Sequence, residues 1–420
     1  MLDISLIREQ PDKVREGIKK KKQDPKTVDK FLHADEEWRA KTAAYDQLKS
    51  EQNLLNKQLA TGRSEDLLSK AQLLKKRLAD LEKEQDEVKV KRDELLSRIP
   101  NLPFESVPVG KDEGENRVIR EGGTKPVFDF EPKDYLTLGE KLRLIDVKKA
   151  AEVSGSRFGY LLNEAALMEF ALVELAFKTL VAHGFTPAVP PVMIKPKVYE
   201  GMGRLAADQK EERYYFDKDD VYLVGSSEHT MGPLLMNEIL EEEQLPRRFV
   251  SFSTCFRREA GSYGKDTKGI LRVHQFDKVE MFSFAHPDRS EEEHAFLLSC
   301  QEEIMKKLEL PYRIVEICTG DMGWTDARQY DVETWLPGQG TYRETNSCSN
   351  TTDFQSRGTN VKYRKADGTK ALVHMLNATG IAIGRIVIAI IENNQTKEGT
   401  VRIPKALQAY VGKEEIIGQR

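Results

Sequence analysis

Cysteine is scarce in this chain: Cys255, Cys300, Cys318 and Cys348 are the only four, and no two form a CxxC pair. That excludes a disulfide framework and a zinc ribbon, and ordinary reduced thiols point to the cytosol. Long apolar runs are missing as well. Nowhere do 18 apolar residues follow one another, and the opening MLDISLIREQPDKVREG has no apolar h-region behind a basic start. The expectation is a soluble, cytoplasmic protein with no membrane partner. An excess of positive charge is also lacking. The formal net charge of −4 excludes nucleic-acid binding by bulk charge, so any RNA partner must meet a local basic surface.

The common nucleotide and hydrolase signatures are absent too. There is no GxxxxGK[ST], no HExxH, and no GxSxG around Ser226, Ser227 or Ser262. The segment GMGRLA, Gly201 to Ala206, matches the dinucleotide spacing GxGxxA by letter. No buried-strand pattern precedes it and no βαβ unit surrounds it, which argues against a dinucleotide site.

What is present divides into two halves. With 420 residues and 39% hydrophobic content, the chain has room for two or three domains and at least one substantial core. From Val28 to Ile99 it contains no proline and one glycine, Gly62. Leu67, Leu74, Leu81, Val88 and Leu95 repeat every seven residues, interleaved with Ala71, Leu78, Gln85, Arg92 and Ile99. Alternating three and four spacing puts them on one face of a long helix. Phe31, Trp38, Tyr45, Gln52 and Leu59, with Ala34, Leu48 and Leu55, form a rougher version earlier on. Between the two runs, ATGRSED supplies a glycine stop and Ser64 as N-cap. The pattern predicts an antiparallel helical hairpin with arms about 45–50 Å long. Such an arm serves either as a dimerisation or spacer coiled coil or as an RNA-binding arm, with Arg39, Lys57, Lys75, Lys76 and Arg77 available to phosphates. Charge alone does not choose.

After IPNLPFESVPVG the composition becomes mixed. A helical stretch, Asn163 to His183, is followed by β-rich runs RFVSFST, DKVEMFSF and YRIVEI. These predict an α+β domain with an antiparallel sheet flanked by helices. The most charged of its turns is CFRREAGSYG, Cys255 to Gly264, continuing to Glu280 as strand, glycine loop, strand. Strand alternation would put Arg257 and Glu259 on one face, with Arg258 pointing away. Arg272 and Phe276, four apart on the returning strand, would share a face. An arginine fork suits phosphate or carboxylate, an acid accepts from an amine, and a cation with an aromatic could hold a purine. A surface hairpin with ordinary ion pairs is the plainer alternative.

Cys255–Glu280 resembles motif 2 of the class II aminoacyl-tRNA synthetases, specifically the seryl branch. GFTPAVPPVMI, 184–194 with Pro191, is similar to motif 1; LVHMLNATGIAIGRIVIAIIENNQ, 372–395 with Arg385, is similar to motif 3. YRETNSCSNTTDFQSR, Tyr342 to Arg357, resembles the stretch that holds metal and substrate, and the helical arm matches that of bacterial-type members. The resemblance covers essentially the whole chain. It implies a tRNA-binding domain over 1–105, with the arm at about 28–99, and a class II catalytic domain over 106–420.

The implied activity is a serine–tRNA ligase: serine and ATP give seryl-adenylate and pyrophosphate, and the seryl group passes to the 3′ end of tRNA(Ser), with tRNA(Sec) a further acceptor left open. Carried over by motif, Arg257 and Arg385 are catalytic. Arg257, Glu259, Arg272, Val273, Phe276, Glu344, Ser347 and Arg385 bind ATP. Ser226, Glu228, Arg257, Glu280, Asn377 and Thr379 bind serine. Glu344 and Ser347 hold Mg²⁺, no zinc is expected, and the assembly is a homodimer. The glycine loop of motif 2 would move over ATP and the acceptor end. The chain departs from the family at SSEH, 226–229, where Thr-x-Glu is usual, and at Ala378, where glycine is common. His229, next to the pocket glutamate, reads as structural. A carrier-protein ligase would lack the long arm. A non-catalytic paralogue would have lost Arg257, Arg385, Glu344 or Ser347.

Overall fold

The computed structural model describes residues 1–62, 64–206, 209–260 and 268–418. The chain forms two compact units, Met1–Pro100 and Asn101–Arg420. Among the described residues no helix is long and apolar enough to cross a membrane.

The first unit is helical: α1 (Ile4–Glu9), α2 (Pro11–Lys20), α3 (Lys26–Thr61) and α4 (Glu65–Ser97). The last two form the expected hairpin. Their 36 and 33 residues correspond to about 54 and 50 Å at 1.5 Å per residue, so the first arm is longer than the sequence pattern indicated. Every heptad position from Leu67 to Ile99 is buried or half-buried, and of the positions between them only Leu96 is shielded as well. Gly62 follows α3 and donates its N–H to the Gln58 carbonyl, while Ser64 Oγ caps α4 by accepting from Leu67 N at 3.2 Å. Polar cross-links tie the arms together: Lys41 Nζ to Glu84 at 2.6 Å, Gln85 to Thr42 at 2.7 Å, and the Arg92 guanidinium 4.1 Å from the Trp38 ring centre.

The second unit is built on an eight-stranded sheet. In chain order its strands are β1 (Arg117–Gly122), β2 (Thr186–Ala188), β3 (Arg247–Phe256), β4 (Gln275–Ala285), β5 (Tyr312–Glu316), β6 (Arg328–Leu336), β7 (Thr341–Asn350) and β8 (His374–Ala382). They lie side by side as β1-β5-β6-β7-β8-β4-β3-β2. Every neighbouring pair is antiparallel except β2 with β3. The helices of this unit include α5 (Glu164–Ala182), α6 (Pro196–Gly201), α7 (Glu228–Met231), α8 (Ser290–Lys307), α9 (Phe354–Thr359) and α10 (Ile383–Asn393), the last continuing directly from β8.

The main core gathers α5, α8 and α10 onto the sheet, with Met168, Leu172, Leu297, Ile304, Met281, Ile386 and Ile390 among its fully buried side chains. Each such side chain contributes roughly 1.5–3 kcal/mol by leaving water. Helix α10 is buried along its whole length except at Gly384 and Arg385 in its first turn. That exception is what puts a guanidinium at the mouth of a cavity.

Candidate active site

Strands β3, β4, β7 and β8 are neighbours at the middle of the sheet, and side chains at their ends face one hollow. A cavity is lined by Arg257, Glu259, Arg272, Val273, Phe276, Glu344, Ser347, Thr379 and Arg385. It merges with a more polar recess that adds Ser226, Glu228, Glu280 and Asn377 and shares Arg257, Glu259, Arg272, Lys278, Glu344, Ser347 and Arg385. Motifs far apart in sequence therefore meet at one site, and every site residue expected from the sequence lines it.

The route to that arrangement differs from strand alternation in two places. Strand β3 ends at Phe256, so Arg257 and Glu259 share the cavity through a turn in which Glu259 adopts φ +51°. Likewise β4 begins at Gln275, and Arg272 reaches the cavity from the irregular segment before it. A non-glycine residue in left-handed backbone is uncommon, and here it turns an acid back toward Arg272, whose Nη1 lies 2.7 Å from Glu259 Oε2. The glycine loop, 261–267, lies outside the described residues.

The guanidiniums are held individually. Arg257 Nε donates to the Gly225 carbonyl at 3.1 Å, and its guanidinium carbon stands 5.2 Å from the Phe276 ring centre. Arg385 Nη1 donates to the Glu344 carbonyl at 2.8 Å and lies 3.3 Å from that residue's carboxylate. The positive charge of Arg385, helped by Arg257 and Arg272, outweighs burial and holds the Glu344 carboxyl below its ordinary range. Behind it, burial and then the charge of Glu344 push the Asp331 carboxyl well upward. Ser347 Oγ is 3.4 Å from Thr379 Oγ1, and Gln301 fastens both strands by donating to the Ser347 and Thr379 carbonyls at 2.8 Å each.

The recess has a different character. Glu228 and Glu280 are both buried. Burial works to raise the Glu228 carboxyl, but Arg204, Gln355 and Lys278 prevail and the net shift is downward. Glu280 is raised, burial outweighing the opposing charge of Lys278. Ser226 Oγ accepts from Glu228 N at 3.3 Å, so the serine in SSEH helps shape the turn that presents the acid. Asn377 is buried, and its Nδ2 has no hydrogen-bond partner among the described residues. Ala378 is fully buried between Met281 and Cys348 on the flanking strands, so its methyl group is absorbed by the core. His229 is structural in its contacts: Nδ1 accepts from Gly225 N at 3.2 Å and sits 3.0 Å from Tyr199 Oη. Burial, reinforced by Arg213 and Arg204, drives its pKa well down and keeps it neutral.

Sequence reasoning missed Arg204, Arg213 and Lys278, all of which line the recess. Lys278 was legible: it lies two residues before Glu280 on one strand, hence on the same face. Arg204 and Arg213 sit in irregular chain, and no local pattern marks them.

Comparison with known proteins completes the picture. Residues 213–394 match the tRNA synthetase class II core domain (G, H, P, S and T), and residues 1–103 match the seryl-tRNA synthetase N-terminal domain. The chain is 44% identical to the serine–tRNA ligase of Thermobifida fusca, over 99% of this chain and 98% of the relative. It is also 44% identical to that of Acidothermus cellulolyticus over the full length of both. Its fold superposes on the seryl-tRNA synthetase of Pyrococcus horikoshii complexed with ATP at a TM-score of 0.92, with 41% identity and full coverage of both chains. Against the cytoplasmic serine–tRNA ligase of Naegleria fowleri in complex with AMP the TM-score is 0.87, at 32% identity, covering 100% and 99%.

Proposed function

Because the chain belongs to the seryl-tRNA synthetases, a family of ligases that join serine to tRNA at the cost of ATP, we propose how its own residues divide that work. The observation that carries the reading is a hollow in which Arg257, Arg272 and Arg385 line a compartment with Val273 and Phe276 and border a recess that adds the buried Glu228 beside the buried Glu280. A polyanion and a small ammonium compound could lie there end to end.

Arg257 stands where the two compartments meet. It receives the serine carboxylate and the α-phosphate together, balancing their charges while a carboxylate oxygen attacks phosphorus and the bond to the leaving pyrophosphate breaks. Such a step needs alignment and electrostatic stabilisation and no proton transfer. Arg272 and Arg385 hold the outer phosphates, Phe276 stacks on the base, Val273 borders it, and Glu259 accepts from the adenine amine. In the second step the 3′-terminal ribose hydroxyl of tRNA attacks the carbonyl carbon, the carbonyl–phosphate oxygen bond breaks, and AMP leaves with the hydroxyl proton on its phosphate.

Serine is held at its other end by Glu228, which takes the ammonium, and by Glu280 and Thr379, which take the hydroxyl. Ser226 and Asn377 complete the wall. The free amide of Asn377 supports this, because a buried donor without a partner favours a ligand that supplies one.

The fit for magnesium rests on donor chemistry. Glu344 and Ser347 offer hard oxygens beside the phosphate-facing arginines, and among the described residues no three His, Cys, Asp or Glu side chains cluster to hold a metal alone. That suits an ion bound by one or two protein oxygens and the substrate's own phosphates. When bound, it neutralises phosphate charge. The homodimer implied by the motif 1 resemblance is supported by the outward Val189 and Met193, 80% and 53% exposed.

Serine-dependent exchange of pyrophosphate into ATP tests the reading. We expect exchange with serine and not with alanine, threonine, glycine or cysteine, and a loss of at least about a hundredfold in Arg257→Ala, the usual scale for removing one preorganised charge stabiliser. Well-folded protein with Mg²⁺ that shows no exchange with any amino acid would overturn it.

A further inference from the structure

We propose that Arg204 is a positioning residue for serine, turning the Glu228 carboxylate so that one oxygen is consumed inside the protein and the other faces the substrate ammonium. The inference rests on the reading of Glu228 as the amine-binding group. Glu228 Oε1 accepts from Arg204 Nη2 at 2.7 Å, from Arg204 Nε at 3.2 Å and from Gln355 Nε2 at 2.8 Å. Three donors on one oxygen exhaust its acceptor capacity and leave Oε2 as the side open to a ligand. They also fix a terminal torsion that is otherwise broad, so the carboxylate is aimed before serine arrives.

The segment that carries Arg204 is GMGRLA, the run whose glycines mimic a dinucleotide fingerprint. Their purpose here is packing. A Cβ on Gly201 would stand 2.8 Å from the Gly358 carbonyl oxygen, so α6 and α9 touch backbone to backbone at this pair. Gly203 has φ +70°, and a Cβ there would lie 2.7 Å from the Phe354 ring. Close approach and a left-handed turn together bring Arg204, just after α6, and Gln355, in α9, to the same carboxylate oxygen. Any larger residue at these glycines would separate the two donors.

Charge explains why an arginine stands here. Glu228 is faced by Arg204, Arg213 and Tyr199 from its own side of the recess and by Lys278 and Glu280 from β4. Arg204 also lies close enough to Asp326 to be stabilised by it, so it sits between two carboxylates. Remove its charge and Glu228 keeps Lys278 as its main counter-ion, which Glu280 already holds at 2.5 Å.

Pyrophosphate exchange on the full chain, followed against serine, ATP and pH, tests this with Arg204→Met, Arg204→Gln and Glu228→Gln. Arg204→Met should raise the serine KM about tenfold or more, the scale of one charge-assisted hydrogen bond, and leave the ATP KM within about twofold. It should also move the acid limb of kcat/KM for serine to higher pH. Arg204→Gln, neutral but able to donate, should recover part of the KM and none of the limb. An unchanged serine KM in Arg204→Met overturns the proposal, as does an equal loss for both substrates with the limb unmoved, which marks a merely structural role. If Glu228→Gln itself binds serine normally, the reading of Glu228 fails and the role of Arg204 falls with it. If Glu228→Gln is impaired while Arg204→Met is normal, only the inference fails.

Discussion

Lys278 and Glu280 stand two apart on β4, both buried, with the ammonium 2.5 Å from the carboxylate oxygen Oε2. An ion pair lining the polar recess has two consequences. Under the proposed assignment it supplies an acceptor for the serine hydroxyl, and it makes an apolar substitute in that position unfavourable, because the pair would face a methyl group with nothing to bond.

Glu280→Ala should therefore cost serine more than alanine. We expect the serine-to-alanine ratio of kcat/KM in pyrophosphate exchange to fall by about a hundredfold or more, since a site built to bond a hydroxyl draws its selectivity from the groups left unpaired without one. A ratio equal to that of the unaltered protein would move hydroxyl recognition elsewhere.

The arm should act through charge on its exposed sides. Lys57, Lys75, Lys76 and Arg77 are all exposed. Replacing the four with alanine should leave serine-dependent pyrophosphate exchange unaltered and weaken tRNA binding. It should also flatten the slope of log affinity against log salt by roughly 0.7–0.9 for each phosphate contact removed. Binding measured by filter retention across salt concentrations decides it; an unchanged slope would show that these four side chains meet no phosphate.

Stability should fall as pH rises across mild acidity, with Glu392 as one cause. Burial, with a smaller push from Asp134, raises its carboxyl from an ordinary 4.5 to about 7, although the Tyr135 and Gly338 N–H groups donate to it and oppose the rise. Between those two values the folded protein keeps a proton the unfolded chain has released, so stability is lost through this window and levels off above it. The upper bound is about 3 kcal/mol at 1.36 kcal/mol per unit. Urea midpoints at pH 5 and pH 8 should differ less in Glu392→Gln than in the unaltered protein; equal differences would remove Glu392 from the account.

The sequence announced what is periodic or contiguous. Leu67 to Ile99 announced their shared face because a heptad is a local rule. The motifs around Pro191, Arg257 and Arg385 were legible because each lies within one short stretch. What escaped was everything that depends on chain meeting chain. Arg204 has no meaning until Gly201 touches Gly358, and Glu259 joins the cavity through a left-handed backbone that strand alternation does not foresee. Arg204 and Arg213, which no local pattern marks, are placed by irregular chain, whereas Lys278 shares a strand with Glu280 and was open to the same alternation rule.

One oddity of the sheet bears on how such a molecule changes over evolutionary time. The parallel neighbours among its eight strands, β2 and β3, cannot be joined by a tight turn, so the chain must make a long excursion over residues 189–246 before it returns. That excursion carries Arg204, Arg213, Ser226 and Glu228, whereas the arginines facing the other compartment come from elsewhere. Both ends of the block are anchored in adjacent strands. Its interior can consequently vary as one contiguous block between two fixed strand ends, altering the share of the recess supplied by Arg204, Arg213, Ser226 and Glu228 while the sheet keeps Lys278, Glu280 and Asn377 in place.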